Sequence, residues 1–245
     1  MIEQRARGVR TQFRESIAIQ CCSLVHGRRS FGIAIPSAVQ IMPNTLDFAR
    51  RLLALSQNGL HFTAGEYDRE RYREIVEIAT ALLAAQSEHS AEDIRQTWFV
   101  EDGYATPKMD VRGVIFRDDR VLLVRETTDG KWSLPGGWAD VNDSPSHAIE
   151  KEIEQETGFT ARAVKLAALY DRSKHPHPHY LFHSWKAFFI CEITGGAPRT
   201  SHETDGVDFF PLDALPELSI GRVTAPQIQR MYQHHLHREW ATEFD

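Results

Sequence analysis

Two glutamates four residues apart, Glu152 and Glu156, have the residue type and the spacing of a metal site. Side chains four apart on a helix share one face, and paired carboxylates suit a hard divalent ion such as Mg²⁺. Ordinary solvated helices contain the same spacing, so the pair alone does not decide between the two interpretations. Further observations come from the surrounding stretch, GGWADVNDSPSHAIEKEIEQETGF, over residues 136–159.

This stretch contains the start and stop signals of a short helix. Ser144 followed by Pro145 is typical of an N-cap and a first helical residue, and Gly158 is typical of a C-terminal stop. A helix over about residues 145–157 separates its acids into two pairs, because one pair borders the inward face and the other faces solvent. The inward face is Ile149 and Ile153, the bordering pair is Glu152 and Glu156, and the solvated pair is Glu150 and Glu154.

The turn before the helix, Pro135-Gly136-Gly137, allows the backbone to approach a ligand closely. The carbonyl oxygen of Gly136 is therefore a candidate metal ligand beside the two glutamates. Burying unpaired carboxylates costs free energy, so Glu152 and Glu156 need a cation. Together the turn, the cap, the acid pair and the stop glycine favour a divalent-ion site.

The same residues resemble the Nudix box, a loop–helix–loop of the form G-x5-E-x7-R-E-U-x-E-E-x-G-U, in which U is a bulky apolar residue. The spacing is intact throughout, and the matching residues are Gly137, Glu152, Ile153, Glu156, Gly158 and Phe159. The resemblance implies that Glu152 and Glu156 bind Mg²⁺ or Mn²⁺.

Three positions depart from the box: Asp143 stands at the first Glu, Lys151 at the Arg, and Gln155 at one Glu of the pair. Lys151 keeps the positive charge but loses the planar fork of arginine. We expect it to orient its acidic neighbours or to stabilise charge in the transition state. The departures bear on metal number and rate more than on the class of reaction.

Composition limits the kinds of partner. The chain has 245 residues, a net charge of −6 and an apolar fraction of 42%, which allows one large domain or an ordinary domain with a small one. The mildly acidic charge argues against nucleic acid, and no apolar run approaches the roughly 18 residues of a membrane span. The cysteines Cys21, Cys22 and Cys191 indicate no disulfide framework and fit a reducing cytoplasm.

Residues 1–43 contain six arginines against two acids and have no clear periodicity. A poorly ordered tail, a basic presequence, and a non-native extension ahead of a true start at Met42 all fit this composition. We favour the extension, because helical patterning begins directly after Met42.

Residues 44–102 have the pattern of a small helical domain. A first helix is capped by Asn44 or Thr45 and ended by Asn58-Gly59, and a second starts near Tyr67. Two such helices must pack on the second domain or on another subunit. The run FARRLLALSQNGLHFTAGEYDRERYREI resembles the helical domain of Nudix hydrolases that act on nucleoside diphosphates linked to another moiety, X, which implies a homodimer. A generic helical hairpin is the alternative.

Residues 103–245 alternate strand-like runs with helices. The first two runs flank a three-residue turn and predict a hairpin. The strand-like runs are 110–116, 120–125, 161–171, 182–194 and 207–211, and the last helix runs from Pro226 to about Trp240. With the resemblance, this order predicts an α+β fold, the Nudix α/β/α sandwich with a mixed sheet, preceded by the small helical domain.

The segment LYDRSKHPHPHY, residues 169–180, places His175, His177 and His179 two residues apart. Three interpretations are open: a transition-metal site, a surface loop, and a loop close to the substrate. An Asp-Arg…His-Pro stretch of this kind resembles the subgroup that acts on nucleoside diphosphates linked to X. The resemblance favours the third interpretation and implies Asp171 and His177 as substrate-binding residues.

Three more residues are candidates for the site. By resemblance, Glu203 is an acid ahead of a strand that binds metal or acts as the general base. Arg112 lies on a predicted strand and either reaches a diphosphate or pairs with Asp110 or Glu126. Trp138 follows the glycine turn, where it can line a pocket.

These residues and the resemblance predict metal-dependent hydrolysis of a nucleoside diphosphate linked to X, CDP-choline-like or ADP-ribose-like. The products would be a nucleoside monophosphate and phosphorylated X, with divalent ions acting on the diphosphate and an acid activating water. The alternative is a Nudix-fold module that binds a nucleotide sugar without hydrolysing it, and the three departures from the box favour it. The two retained glutamates favour the hydrolase.

Overall fold

The computed structural model describes residues 45–98 and 103–245. Its helices are α1 (Thr45–Phe62), α2 (Glu66–Ala84), α3 (Ala91–Trp98), α4 (Pro145–Thr157) and α5 (Ala225–Leu236). Its strands are β1 (Lys108–Val114), β2 (Phe116–Arg117), β3 (Arg120–Glu126), β4 (Trp132–Ser133), β5 (Phe159–Asp171), β6 (Ser184–Gly196), β7 (Thr204–Pro211) and β8 (Glu243–Phe244). The expectations for residues 1–43 and for Asn44 as a cap lie outside the described residues. Within the described ranges no helix is long and apolar enough to cross a membrane.

The three N-terminal helices enclose a small apolar core that includes a residue from the later part of the chain. Their buried residues are Leu46, Ala49, Leu53, Val76, Ala79, Leu83 and Ile94. Leu181, from the loop before β6, is buried in the same cluster, and Phe182 packs against it. The helices therefore do pack on the strand-rich part of the chain, as two helices without a core of their own require.

The predicted stop of the first helix at Asn58-Gly59 is wrong, because α1 continues to Phe62. Gly59 serves packing instead of termination. A Cβ at Gly59 would lie 2.3 Å from Cζ of Tyr72, so the ring of α2 occupies the space that a side chain would fill. The last helix also ends earlier than predicted, at Leu236, while Trp240 stacks on His237 beyond its end, with ring centroids 4.7 Å apart.

The strands form two four-stranded sheets between two helices. One sheet has the order β1-β6-β5-β8, and in the other β3 pairs with β2, β4 and β7. Because β1 is parallel to β6 while β5 is antiparallel to it, the first sheet is mixed, as predicted. Ile149 and Ile153 of α4 are buried on one side and Ile228 and Met231 of α5 on the other, which confirms the α/β/α sandwich.

The predicted hairpin over residues 110–125 is correct only at its tip. Phe116 pairs with Val121 and Arg117 with Arg120 across a turn in which two aspartates, Asp118 and Asp119, have positive φ. The preceding strand β1 joins the other sheet through β6. The chain therefore changes sheets just before the turn, which alternation of residue types does not reveal.

A glycine on β1 allows α4 to pack closely, and its substitution tests this packing. A Cβ at Gly113 would lie 2.7 Å from Cδ1 of Ile153 and 3.2 Å from Cδ1 of Ile149. We expect Gly113→Ala to reduce the free energy of unfolding by about 1–3 kcal/mol through overpacking. Gly195→Ala is the control, because a Cβ at Gly195 meets nothing within 4 Å. Equal midpoints of thermal unfolding for the two variants would contradict the packing of α4 on β1.

Candidate active site

Helix α4 begins and ends where its local signals predict. The Ser144 side chain accepts a hydrogen bond from the backbone N–H of His147, Pro145 is the first helical residue, and Gly158 ends the helix with φ of 75°. The helix buries its isoleucine face, and the orientation of the remaining side chains follows from that face. Its acids are therefore placed by packing and not by their own charge.

The carboxylate of Glu156 is buried at the centre of the site, with 4% of the residue exposed. Its Oε2 accepts a hydrogen bond of 2.8 Å from the backbone N–H of Gly136. Gly136 has φ of +137°, and a Cβ there would lie 2.0 Å from the carbonyl oxygen of Val111, so only glycine fits. Burial raises the pKa of Glu156 to about 8, although the charge of Arg112 and the Gly136 N–H favour the ionised form.

Glu152 lies beside Glu156 and is partly buried. A Cβ at Gly137 would lie 3.3 Å from Oε1 of Glu152, so the second glycine of the turn lies directly against this carboxylate. Burial raises the pKa of Glu152, and the charge of Glu203 raises it further, against the opposing charge of Arg112. The glycine turn thus contacts both acids of the predicted pair.

Arg112 is a buried cation next to these acids, and Asp110 is its ion-pair partner. Its Nε donates to Oδ1 of Asp110 over 2.8 Å, and its Nη1 donates to the carbonyl of Leu134 over 3.1 Å. The other oxygen of Asp110 accepts from Lys186, which is fully buried. Burial opposes the charge on Asp110, but the two cations outweigh it and hold its pKa below the ordinary value.

Lys186 was missed by sequence reasoning, although it interrupts the apolar run WKAFFI on β6. A lysine within a buried strand requires a carboxylate partner, and that signal was present in the sequence. Its partner Asp110 is 76 residues away, so the pairing itself was not predictable from spacing. Burial lowers the pKa of Lys186 to about 8 despite the attraction of Asp110.

The other charged and polar side chains of α4 have different partners. Lys151 donates to Asp140 over 2.7 Å and to Asp143 over 3.1 Å, so it orients two loop acids and not Glu152. The prediction that Glu150 only faces solvent is wrong, because its Oε1 accepts a 2.9 Å hydrogen bond from the backbone N–H of Ala163 on β5. Glu154 is exposed, as predicted, and so is Gln155.

Glu203 lies on the loop before β7 with an exposed side chain, 3.2 Å from Nε2 of His202. Burial raises the pKa of Glu152 and of Glu126, and the charge of Glu203 raises both further. The loop is fixed to the end of β3, because the backbone N–H of Thr127 donates to the carbonyl of Glu203 over 2.9 Å. Helix α4 and this loop thus bring together Glu152 and Glu203, which are about 50 residues apart in sequence.

A cavity of about 240 Å³ opens in front of Gly137. Aromatic rings and guanidinium groups share its wall, and the lining residues are Asp110, Arg112, Gly137, Trp138, Arg172, Tyr180, Gly221 and Arg222. The rings of Trp138 and Tyr180 stack with centroids 6.4 Å apart. The cavity contains two of the predicted residues, Arg112 and Trp138, whereas sequence reasoning missed Arg172, Tyr180 and Arg222.

The three histidines of the 169–180 segment do not converge. Nδ1 of His177 lies 2.7 Å from the carbonyl of Ile220, while Nε2 of His175 lies 3.2 Å from Oδ1 of Asp245. Burial lowers the pKa of His177 to about 4, so its ring is neutral. Asp171 accepts from the backbone N–H of Ser173 at the start of a short 3-10 helix. Direct substrate contacts by Asp171 and His177 stay predictions, since the contacts shown fix the loop itself.

No group of three or more His, Cys, Asp or Glu side chains is arranged to hold a metal within residues 45–98 and 103–245. The set expected from the sequence is smaller, two carboxylates with one glycine carbonyl, and it stays a prediction.

The raised pKa of Glu156 predicts a pH-dependent stability in chelator. The pKa of Glu156 is about 8 in the folded protein against an ordinary 4.5, so between these values the folded protein keeps a proton that the unfolded chain releases. The free energy of unfolding therefore falls as pH rises from about 4.5 to 8. Glutamine mimics the neutral acid, so Glu156→Gln should melt at a higher temperature than the wild type near pH 8, with a gap that closes near pH 5. Exposed Glu154→Gln is the control. Equal melting temperatures for the wild type and Glu156→Gln at pH 8 would contradict the burial of this charge.

Comparisons with known proteins identify the family. A profile described as a NUDIX domain matches residues 106–231, and one described as a UDP-X-like N-terminal oligomerisation domain matches residues 43–98. A Bacillus subtilis protein named "Putative ADP-ribose pyrophosphatase YjhB" is 40% identical over 207 residues, which cover 84% of this chain and 100% of that protein.

Two solved structures are also similar. An ADP-ribose pyrophosphatase from Streptococcus suis is 39% identical with a TM-score of 0.54, covering 57% of this chain and 100% of that chain. A UDP-X diphosphatase is 33% identical with a TM-score of 0.55, covering 82% of this chain and 98% of that chain. The intact box spacing, the sandwich around α4 and these matches together show that the chain belongs to the Nudix family of pyrophosphohydrolases.

Proposed function

We propose that the protein hydrolyses the diphosphate of a nucleoside diphosphate linked to X, releasing a nucleoside monophosphate and phosphorylated X. The observation that carries this proposal is the partly buried Glu152 and the buried Glu156 against the Gly136-Gly137 turn, of which Gly137 lines the 240 Å³ cavity. Guanidinium groups in the wall suit phosphate oxygens, and the stacked rings suit a base or sugar. One cavity therefore offers both kinds of contact that such a substrate requires.

Nudix hydrolases generally use divalent metals, and the acids present here fit such an ion. Glu152 and Glu156 both have raised pKa values, because burial and neighbouring carboxylates disfavour their charged forms. A divalent cation would offset this cost, with the two carboxylates and the carbonyl of Gly136 as its proposed protein ligands, and Mg²⁺ or Mn²⁺ as the ion. When bound, the ion supplies Lewis-acid neutralisation of phosphate oxygens.

The remaining side chains bind, position and exchange protons. Arg112 faces the cavity from a fixed position on β1, so its guanidinium is available to the diphosphate without reorganisation. Lys151 holds Asp140 and Asp143 in the loop that precedes α4. Glu203 has an exposed carboxylate, so we assign it the role of general base, which accepts a proton from water.

Among possible substrates, an ADP-ribose-like compound comes first, because two of the relatives carry that activity in their names. A uridine compound is second, since the third relative is a UDP-X diphosphatase. CDP-choline was expected equally from the sequence, and it belongs in the same panel. Product analysis by chromatography with Mg²⁺ or Mn²⁺ should show AMP from ADP-ribose, and it ranks the three bases directly.

The acid pair is tested by matched glutamine variants on one helix. Glu152→Gln and Glu156→Gln should each lower kcat/KM at least ~100-fold, about 3 kcal/mol of transition-state stabilisation. Glu154→Gln should stay within about twofold of the wild type, because its side chain is exposed. Near-normal turnover by Glu156→Gln would refute the metal assignment. Tight binding of ADP-ribose without any product would favour the binding module over the hydrolase.

The base assignment has its own variant. Glu203→Gln should lower kcat by about 10²–10⁴-fold with little change in KM, since the group acts on water and not on substrate binding. Asp205→Asn on the same loop is the control, because Asp205 is exposed and pairs with Arg125 over 2.6 Å. If the two variants have equal kcat values, the base lies elsewhere.

We also propose that the protein is a homodimer formed through its helical region. The matching N-terminal profile is described as an oligomerisation domain, and α1 and α2 expose large apolar side chains. These are Phe48, Leu55, Phe62, Tyr67 and Ile78. Light scattering should give twice the chain mass, and Phe48→Glu with Leu55→Glu should give the monomer; a wild-type monomer would refute the proposal.

A further inference from the structure

Arg172 is a buried cation without a hydrogen-bonded carboxylate among the described residues. It is 8% exposed, and it follows β5 at the start of the loop that leads to β6. Its Nη2 donates to the carbonyl of Gly221 over 3.3 Å, and its Cζ lies 5.0 Å from the ring centroid of Tyr180. A carbonyl and an aromatic face fix the direction of the guanidinium but leave its charge uncompensated.

The neighbouring cations differ in this respect, because each has a carboxylate partner. Arg112 and Lys186 share Asp110, Arg222 lies 3.0 Å from Glu126, and Arg50 lies 3.2 Å from Asp47. The charges nearest to Arg172 include Arg50, which repels it, and Asp110, which is already engaged twice. Positive charge is therefore in excess at this wall of the site.

Arg172 stands where two cavities meet. It lines the 240 Å³ cavity together with Arg112 and Trp138. It also lines a smaller cavity of about 70 Å³, which Arg50 of α1 lines as well. An anion in the larger cavity would thus meet both Arg172 and Arg112 in its wall.

The loop that carries Arg172 is fixed in place before any ligand binds. Arg50 of α1 donates from Nε to the carbonyl of Leu181 over 3.0 Å. His177 bridges the carbonyl of Ile220 and the side chain of Gln227 on α5, at 2.7 Å and 3.0 Å. The guanidinium is therefore held ready, and an anion would gain its full interaction without the cost of ordering the side chain.

We propose that Arg172 is a substrate-binding residue whose guanidinium binds phosphate oxygens of the diphosphate from the wall of the 240 Å³ cavity. The planar fork can donate two parallel hydrogen bonds to one phosphate, which a lysine cannot do. This assignment rests on the proposed function for the identity of the anion, and on burial and partners for the site. It gives the helical region a part in the catalytic site, because α1 holds the loop through Arg50.

Steady-state kinetics with ADP-ribose test the assignment. Arg172→Gln keeps a donor for the Gly221 carbonyl but removes the charge, and Arg172→Met removes both. We expect KM to rise 10–100-fold in both variants with a smaller change in kcat, and Arg172→Lys to lie between them and the wild type. Arg125→Met is the control, because Arg125 is partly exposed, pairs with Asp205 and does not line the cavity. A structural role alone would lower thermal stability and kcat in Arg172→Met and leave KM unchanged in Arg172→Gln.

Calorimetric binding of inorganic pyrophosphate in chelator gives a readout without turnover. The wild type and Arg125→Met should bind it alike, and Arg172→Gln should bind at least tenfold more weakly. If no nucleotide is hydrolysed but this difference holds, the anion site stands and the proposed function fails. If nucleotides are hydrolysed but Arg172→Gln has wild-type KM and pyrophosphate affinity, the function stands and the role of Arg172 is refuted. The role of Arg172 is also refuted if the folded wild type binds no pyrophosphate.

Discussion

The burial of the Glu156 carboxylate is the constraint on which the rest of the site depends. Ionising a carboxyl group inside a packed sandwich is costly, and the compensation available here still leaves the pKa of Glu156 raised to about 8. The Gly136 N–H supplies a donor and Arg112 supplies charge, while Thr204 of β7 donates to the backbone carbonyl of Glu156 over 2.8 Å. Glu156 thus interacts with the glycine turn, with β1 and with β7. These contacts hold its carboxyl group in a buried position.

Compensation of one charge requires compensation of the next. Arg112 is itself buried, so it needs Asp110, and Asp110 is stabilised further by Lys186 on β6. The result is a row of alternating charges, Arg112, Asp110 and Lys186, that joins the parallel strands β1 and β6. Replacing one member leaves its neighbours buried and unpaired, so the row favours a single arrangement of strand and helix. This rigidity is what keeps the proposed metal ligands and phosphate contacts in fixed positions.

How much the sequence predicts depends on the range of the interactions. The bounds of α4 and the inward position of Glu156 follow from Ser144, Pro145, Gly158 and the isoleucine spacing, all of which act within a few residues. The role of Glu150 does not follow, because its partner Ala163 lies outside the helix, on strand β5. Gly59 was misinterpreted because glycine serves equally as a helix stop and as a space for a neighbouring ring. The Asp-Arg stretch indicated a loop close to the substrate but not the role of Arg172, which depends on Gly221 and Tyr180 beside it. Lys186 depends on Asp110 of β1, and no local pattern contains that pairing.

The most direct test of the central claim is calorimetric titration of Mn²⁺ in buffers of different ionisation enthalpy near neutral pH. If Glu156 is protonated in the metal-free protein and binds Mn²⁺ as a carboxylate, Mn²⁺ binding releases its proton to the buffer. The measured enthalpy then depends on the ionisation enthalpy of the buffer. We predict that Glu156→Gln binds Mn²⁺ at least tenfold more weakly and loses most of this buffer dependence, whereas Glu154→Gln behaves as the wild type. Equal affinity and equal proton release in Glu156→Gln would contradict the account.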